Sequence, residues 1–255
     1  KWGVDKTFGI PAKAIREKGI YWRHLGKLEY GEKDIDFSKV KISRIGRHAG
    51  RWFLYLPEDR EPIEPPKREY VVALDPGVIS FQSFFSENSC GEIGKQAINR
   101  LYSLQHHMDK LKSKSSKANK RMKGKLKRVI DKIQFKIQNL VKDIHYKTSN
   151  FLVKTYDNII IPEFGTQKMS RKLNKENARK ILTWSHFKFR ERLKYMCEKY
   201  KANLHIVTEE FTSKTCSNCG NIKPIKGRVY DCESCGITIN RDINGARNIL
   251  IKHLT

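Results

Sequence analysis

At 255 residues the chain is long enough to bury a full core, as one large domain or a domain with a smaller satellite. Fifty-two Lys and Arg against twenty-seven Asp and Glu leave a formal charge of +25, which a folded chain tolerates best beside a polyanion, and a nucleic acid is the natural one. No stretch approaches the roughly 20 apolar residues of a membrane span, and mean hydropathy is −0.64, so a membrane span is excluded and the chain, which begins at Lys1 with no apolar targeting stretch, reads as part of a longer soluble protein.

Residues 1–56 hold short alternating runs, Val40–Ile45 and Arg51–Leu56, separated by glycines, the signature of antiparallel strands in a β-rich module. Pro57–Pro66 carries four prolines among acidic residues and predicts a linker, with a boundary near residue 66. Tyr70–Leu74 is a continuous apolar run of buried-strand type, and it ends in Asp75-Pro76-Gly77, which puts Asp75 at a strand tip. From about Gln96 to Tyr156 apolar residues recur at three- and four-residue steps, predicting one or two long helices. Within them, Lys110–Arg128 carries ten Lys or Arg, suited to following a phosphate backbone, or else simply a solvated face. Asn158–Ile161 and Leu204–Val207 predict two further strands. Between them Trp184–Tyr200 predicts an amphipathic helix with Phe187, Leu193, Met196 and Tyr200 inward. Of the aromatic residues there, Trp184, His186, Phe187 and Phe189 could stack on bases, but their helical spacing favours core packing. Strands alternating with helices predict an α/β sheet domain.

Four of the six cysteines form two C-x-x-C pairs, Cys216 with Cys219 and Cys232 with Cys235, each followed by glycine and twelve residues apart. Two residues between paired thiolates let both reach one tetrahedral ion, so the motif predicts a closed structural zinc site. Cys90 and Cys197 are left as free thiols, which suits a reducing, intracellular compartment. A second constellation is acidic: Asp75, Asp242 within Asn240–Asn248, and glutamates near other strand ends. Carboxylates gathered at strand tips bind hard divalent cations, and two such ions can clamp a phosphodiester. The alternative leaves Asp75 closing a turn and Asp242 capping a helix that runs to Leu254.

Taken together, Asp75-Pro76-Gly77, Thr212-Ser213-Lys214-Thr215-Cys216-x-x-Cys219-Gly220, Cys232-x-x-Cys235-Gly236 and Arg241-Asp242-x-Asn244-Gly245-Ala246-Arg247-Asn248-Ile249 resemble the RuvC-type nuclease half of the TnpB and Fanzor families. The resemblance covers roughly residues 68–255. It implies an RNase H-like α/β fold with an inserted four-Cys zinc ribbon, and residues 1–56 look like the end of the β-rich wedge domain that precedes it. The implied domains are 1–66 wedge and linker, 67–211 and 239–255 nuclease, and 212–238 zinc ribbon. The activity implied is transposon-associated, RNA-guided DNA cleavage by two magnesium ions. Its partners are a guide RNA and target DNA, in a monomeric ribonucleoprotein, nuclear if the source is eukaryotic or viral and otherwise cytoplasmic.

The resemblance carries Asp75 and Asp242 over as the first and third metal-binding acids. The second departs from the bacterial TnpB pattern, where a glutamate ends the central strand seven residues before a methionine. Here Met169 puts Pro162 at that position, beside Glu163. This looks like the Fanzor variant, whose glutamate comes from the strand leading into the Thr-Ser-Lys-Thr-Cys segment. The expected second acid is Glu209, with neighbouring Glu210 on the opposite strand face and Glu163 as the runner-up. The Gln167-Lys168-Met169 and Leu182–His186 segments also look more like Fanzor. Two other functions use the same residues: a catalytically degenerate nucleic-acid binder, and an unguided transposase or resolvase.

Overall fold

A computed structural model of the chain describes residues 6–31, 35–40, 42–48, 50–64, 67–208, 213–224 and 227–254. The chain divides into two units, Lys1–Glu61 with Met108–Lys136, and Pro62–His107 with Ile137–Thr255.

The first unit is β-rich, as its alternating sequence predicts. Strands β1 (Lys6–Ile10), β4 (Ser43–His48) and β5 (Arg51–Tyr55) form an antiparallel sheet in the order β1-β4-β5. Between β1 and β4 lie a two-residue pair, β2 (Ile15–Arg16) and β3 (Gly19–Ile20), and a single turn of helix, α1 (Trp22–Leu25). Ile10, Ile15, Ile20 and Phe37 make its core, with Ile45 and Leu54 packed on them from the sheet. Val40 ends a 3-10 turn instead of starting β4, because the Asp36 carboxylate accepts the Ser38 amide at 3.0 Å and holds that turn.

In the second unit, β6 (Glu69–Pro76), β7 (Gln82–Ser86) and β8 (Cys90–Ile93) come first, then α2 (Ala97–Lys117) and α3 (Lys120–Thr155), whose parts within Met108–Lys136 fall in the first unit, and β9 (Tyr156–Pro162). Helices α4 (Thr166–Ser170), α5 (Lys175–Trp184) and α6 (His186–Tyr200) lead to β10 (Asn203–Val207). The short pair β11 (Val229–Asp231) and β12 (Thr238–Asn240) precedes α7 (Arg241–Leu254). The five-stranded sheet has the order β10-β9-β6-β7-β8, parallel from β10 through β9 to β6 and antiparallel from β6 through β7 to β8. The α/β expectation holds, and the two long helices fall where the periodicity places them, divided at Asn119, whose side chain caps α3 by accepting the Met122 amide at 2.9 Å. The β7–β8 hairpin was not expected. Its residues, rich in Ser, Gly and Phe, lack the β-branched runs that mark the other strands.

Strand β6 is buried on both faces, which is why it reads as an unbroken apolar run. On one face Val71 and Ala73 pack with Ile160 of β9 under Ile249 and Leu250 of α7. At its start the buried Arg68 donates to the carbonyls of Val153 and Tyr200 at 3.0 Å and of Lys201 at 3.1 Å, and pairs with Asp157 at 2.6 Å. One guanidinium thus satisfies the C-terminal carbonyls of α3 and α6.

The turn after β6 rests on an aromatic stack. The Phe81 ring centroid lies 5.0 Å from His145, 5.4 Å from His186, 5.3 Å from Trp184 and 4.8 Å from Phe189. Here the sequence-based phase needs correction. The helix does not run through Trp184, because Ser185 adopts a left-handed φ of 52° and ends α5. Phe187 is therefore exposed, with Arg190 over its ring at 5.5 Å, and Phe189 takes the inward place beside Leu193 and Met196.

Both histidines of the stack are held neutral. His186 donates from Nε2 to the Gly77 carbonyl at 3.2 Å and accepts the Gln82 amide at Nδ1 at 3.4 Å. His145 donates from Nε2 to the Trp184 carbonyl at 2.7 Å and accepts from Arg192 at 2.5 Å. Burial pushes His145 down to about 4 and His186 to about 3. In the unfolded chain both protonate near about 6.5. Their contribution to stability is therefore complete above that value and is lost as pH falls from it toward the folded values. Thermal unfolding followed between pH 7.5 and 5 should show stability falling by about 2 kcal/mol per histidine at pH 5. Replacing His145 with Gln should remove one of those two proton-linked losses.

Candidate metal centres

Each C-x-x-C pair sits in a tight backbone knuckle. The Gly220 amide donates to the Cys216 carbonyl at 2.9 Å, and Gly236 to Cys232 at 2.8 Å. Both glycines have positive φ, 78° and 72°, which a residue with a side chain would resist. The knuckles face each other so that the Cys216 and Cys235 sulfurs are 3.7 Å apart and those of Cys219 and Cys232 3.6 Å. Thiolates bound tetrahedrally to zinc at about 2.3 Å stand about 3.8 Å from one another. The donor set and its spacing fit one zinc ion with no position left for water. The Asn218 side chain and the Ile237 amide pull Cys235 down to about 6, toward the thiolate that a metal needs. Behind the sulfurs, buried Tyr230 packs with Cys216, Cys232, Ile237 and Ile239, and its hydroxyl lies 3.3 Å from the carbonyls of Lys214 and Asn221.

Helix α7 connects this ribbon to the sheet. Its N-cap is Asn240, whose side chain accepts the amides of Asp242 at 2.8 Å and Ile243 at 3.3 Å. Asp242 is thus not the cap, and its carboxylate, one quarter exposed, is met by Arg241 at 3.2 Å. Two further side chains of α7 reach the first knuckle. Asn244 accepts the Ser217 amide at 3.0 Å and donates to the Thr215 carbonyl at 2.8 Å, and Asn248 donates to that same carbonyl at 2.6 Å.

Asp75 stands on the face of β6 that α7 covers, two residues beyond Ala73. A methyl group built on Gly245 would lie 2.4 Å from its Oδ2, so Asp75 reaches across the second turn of the helix that carries Asp242. Directly opposite Asp75 in the β6–β7 register is Ser83, fully buried, whose hydroxyl has no hydrogen-bond partner among the described residues. A carboxylate beside an unsatisfied buried hydroxyl offers oxygen donors of the kind a hard divalent cation takes.

The other expected acids fare differently. Parallel pairing of Ala73 with Ile160, continued by two residues, brings Pro162 level with Asp75, and a buried proline offers no ligand. The side chain of Glu163 is exposed, while its amide donates to the Val207 carbonyl at 2.8 Å. Glu209 and Glu210 lie outside the described residues. Among the described residues the four cysteines are the group of three or more metal-ligating side chains whose donor atoms converge, and the acids do not form another. Sequence reasoning also missed Glu92, which pairs with Ser83 and so falls in line with Asp75 across β6, β7 and β8. Burial works to raise its pKa, but hydrogen bonds from Lys95 at 2.6 Å and from Ser80 outweigh it and hold the carboxyl below its ordinary value. Alternation along the hairpin is the signal that would have found it. All ten cations of Lys110–Arg128, on α2 and α3, are exposed. No helix among the described residues is long and apolar enough to cross a membrane.

Two family models match the chain: one for the OrfB proteins of IS605, described as a probable transposase, over residues 54–173, and one for the Cas12f1-like TNB domain over residues 186–249. TnpB-like protein L770 of Acanthamoeba polyphaga mimivirus is 35% identical over 235 residues, 88% of this chain and 45% of that protein. The CRISPR-associated endodeoxyribonuclease Cas12f1 of Sulfoacidibacillus thermotolerans is 28% identical over 138 residues, 51% of this chain and 32% of that one. Among solved structures, a Cas12f1 in complex with sgRNA and target DNA superposes with a TM-score of 0.60 at 18% identity, covering 90% of this chain and 50% of that one. The chain therefore spans less than half the length of the mimivirus relative. The fold it shares with these proteins is the RNase H-like one expected, with its ribbon inserted between β10 and α7.

Chelation provides the test of the ribbon. Stripping metal from the purified protein should release one zinc per chain and unfold residues 213–240, because the small Tyr230 cluster cannot hold four facing thiols together. Unchanged amide protection across that segment after chelation would count against a structural zinc.

Proposed function

Because this chain belongs to the TnpB and IS605 OrfB transposase family, we propose that it is the nuclease part of an RNA-guided DNA endonuclease that hydrolyses phosphodiester bonds with two magnesium ions. The observation that carries this reading is the seating of Asp75, at a strand tip, on the second turn of the helix whose first turn presents Asp242. When bound, the two ions supply an activated water and stabilise the leaving 3′ oxygen. The protein's part is placement. Asp75 is fixed by strand pairing on one side and by α7 on the other, so its carboxylate would be held ready as a ligand for the ions. Asp242 is held in place by the Asn240 cap. Ser83 offers a hydroxyl to the water or the carboxylate beside it.

For the second acid we favour Glu209, or Glu210 beside it, over Glu163. Pro162 leaves the end of β9 without a ligand, and the side chain of Glu163 is turned to solvent. This is the arrangement of the Fanzor side of the family. Cys216, Cys219, Cys232 and Cys235 hold zinc in a ribbon of residues 212–238 that lies against target nucleic acid. Residues 1–66 belong to a wedge domain and its linker, and 67–211 with 239–255 to the nuclease. The partners are a guide RNA and target DNA in a monomeric, intracellular ribonucleoprotein, in which base pairing reads the sequence and exposed cations such as those of Lys110–Arg128 follow the backbone. The substitution at Pro162 favours one second reading, a binder that has lost cleavage.

Cleavage of a matched duplex with magnesium and a copurified RNA decides between them. Asp75→Ala and Asp242→Ala should each abolish cutting and leave RNA and DNA binding within about twofold, since backbone contacts use other residues. Glu209→Gln should be inactive and Glu163→Gln active, and the opposite result would restore the TnpB arrangement. Replacing Lys120, Arg121, Lys123 and Lys125 with Gln should flatten the slope of log affinity against log salt by roughly 3 to 4. An unchanged slope would make that run a solvated face.

A further inference from the structure

The two asparagines that reach from α7 to the first zinc knuckle do more than pack. Asn244 is fully buried, and its amide is satisfied on both sides, by the Ser217 amide at 3.0 Å and the Thr215 carbonyl at 2.8 Å. Asn248, one helical turn on and so on the same face, adds a second donor to the Thr215 carbonyl at 2.6 Å. Thr215 and Ser217 are the residues on either side of the zinc ligand Cys216. Asn244 is also two residues from Asp242 and adjacent to Gly245, against which Asp75 rests. A second tie fixes the start of the helix to the ribbon, where Arg241 donates its amide to the Arg228 carbonyl at 2.8 Å and its guanidinium to Gly227 at 3.0 Å.

We propose that Asn244 and Asn248 are positioning residues that couple the folded state of the zinc ribbon to the placement of Asp242 and Asp75. The coupling rests on the endonuclease reading for its functional consequence but not for its physical one. The knuckle presents Thr215 and Ser217 at the right separation only while its four sulfurs are held together. An open knuckle leaves the Asn244 amide buried without partners, and the helix must shift or fray to rehydrate it. No other side chain offers an acceptor and a donor in this arrangement at this length: Asp keeps the acceptor and loses the donor, and Leu keeps the shape and loses both.

The test uses the full chain and three variants, Asn244→Asp, Asn244→Leu and Asn248→Ala. Zinc content, hydrogen exchange of α7 and the magnesium concentration for half-maximal cleavage are measured for each. The Asn244 variants should keep one zinc per chain while the first two turns of α7 exchange about tenfold faster. Their magnesium requirement should rise about tenfold, with Asn248→Ala intermediate. Chelation of the native protein should give the same faster exchange and should add little in Asn244→Leu. Native exchange rates in Asn244→Leu, or α7 protection that ignores chelation in the native chain, would overturn the coupling. So would loss of zinc from both Asn244→Asp and Asn248→Ala, which would make these residues part of the ribbon's own fold. Absence of magnesium-dependent cleavage in the native protein would instead remove the endonuclease reading, and the exchange comparison would still decide the coupling.

Discussion

A carboxylate and a helix meet at the end of strand β6 with no room between them for a single methyl group. The rest of the second unit is arranged to keep that approach in register. Ile249 and Leu250 press α7 onto Val71, Ala73 and Ile160 about one turn further along, where all five residues are buried. At the other end Asn240 closes the helix, and the ribbon that precedes it is tied back by buried amides. A shift of α7 by one residue would turn Gly245 away from Asp75 and bring a side chain against it, so the contact has one workable register. Asp75 is thus held against the helix that carries Asp242 by apolar packing some distance from either residue.

Much of this was legible in the sequence, for reasons that differ by element. Strands buried on both faces declare themselves as unbroken apolar runs, as Tyr70–Leu74 and Asn158–Ile161 do, whereas Leu204–Val207 is an edge strand with Ile206 exposed. The four cysteines were legible because ligand spacing along the chain is itself the geometry of the site. The β7–β8 hairpin was not, since Ser83 and Ser86 gain their burial from neighbouring strands and not from their own chemistry. Phe187 and Phe189 exchanged roles because one left-handed residue, Ser185, resets the helical phase, and periodicity counted across it goes wrong. Asn244 stood in the motif as a letter without a purpose. Its partners lie 27 and 29 residues earlier, a separation that no local pattern encodes.

The turn that follows Asp75 depends on a different kind of support. Trp184 donates to the Val78 carbonyl at 3.0 Å and His186 donates to Gly77, so the loop is held by the end of α5 and the start of α6 through the Phe81 stack. Asp75 is therefore fixed from both sides of the sheet: by α7 on the face it occupies and by an aromatic layer under the turn it leads into. A cluster first read as a possible platform for bases is the mounting of a strand tip.

The topology also sets an order of events during synthesis. Strand β6 is made early, but the apolar face formed by Val71 and Ala73 stays uncovered until Ile249 and Leu250 emerge from the ribosome, after the ribbon. The helix that completes the hydrophobic layer is the same one that delivers Asp242. A nascent chain cannot acquire a finished core before it acquires Asp242, so the stable fold and the end of β6 that α7 covers are completed together. Any polypeptide released before α7 keeps an exposed apolar sheet face, a species for chaperones and proteases to remove.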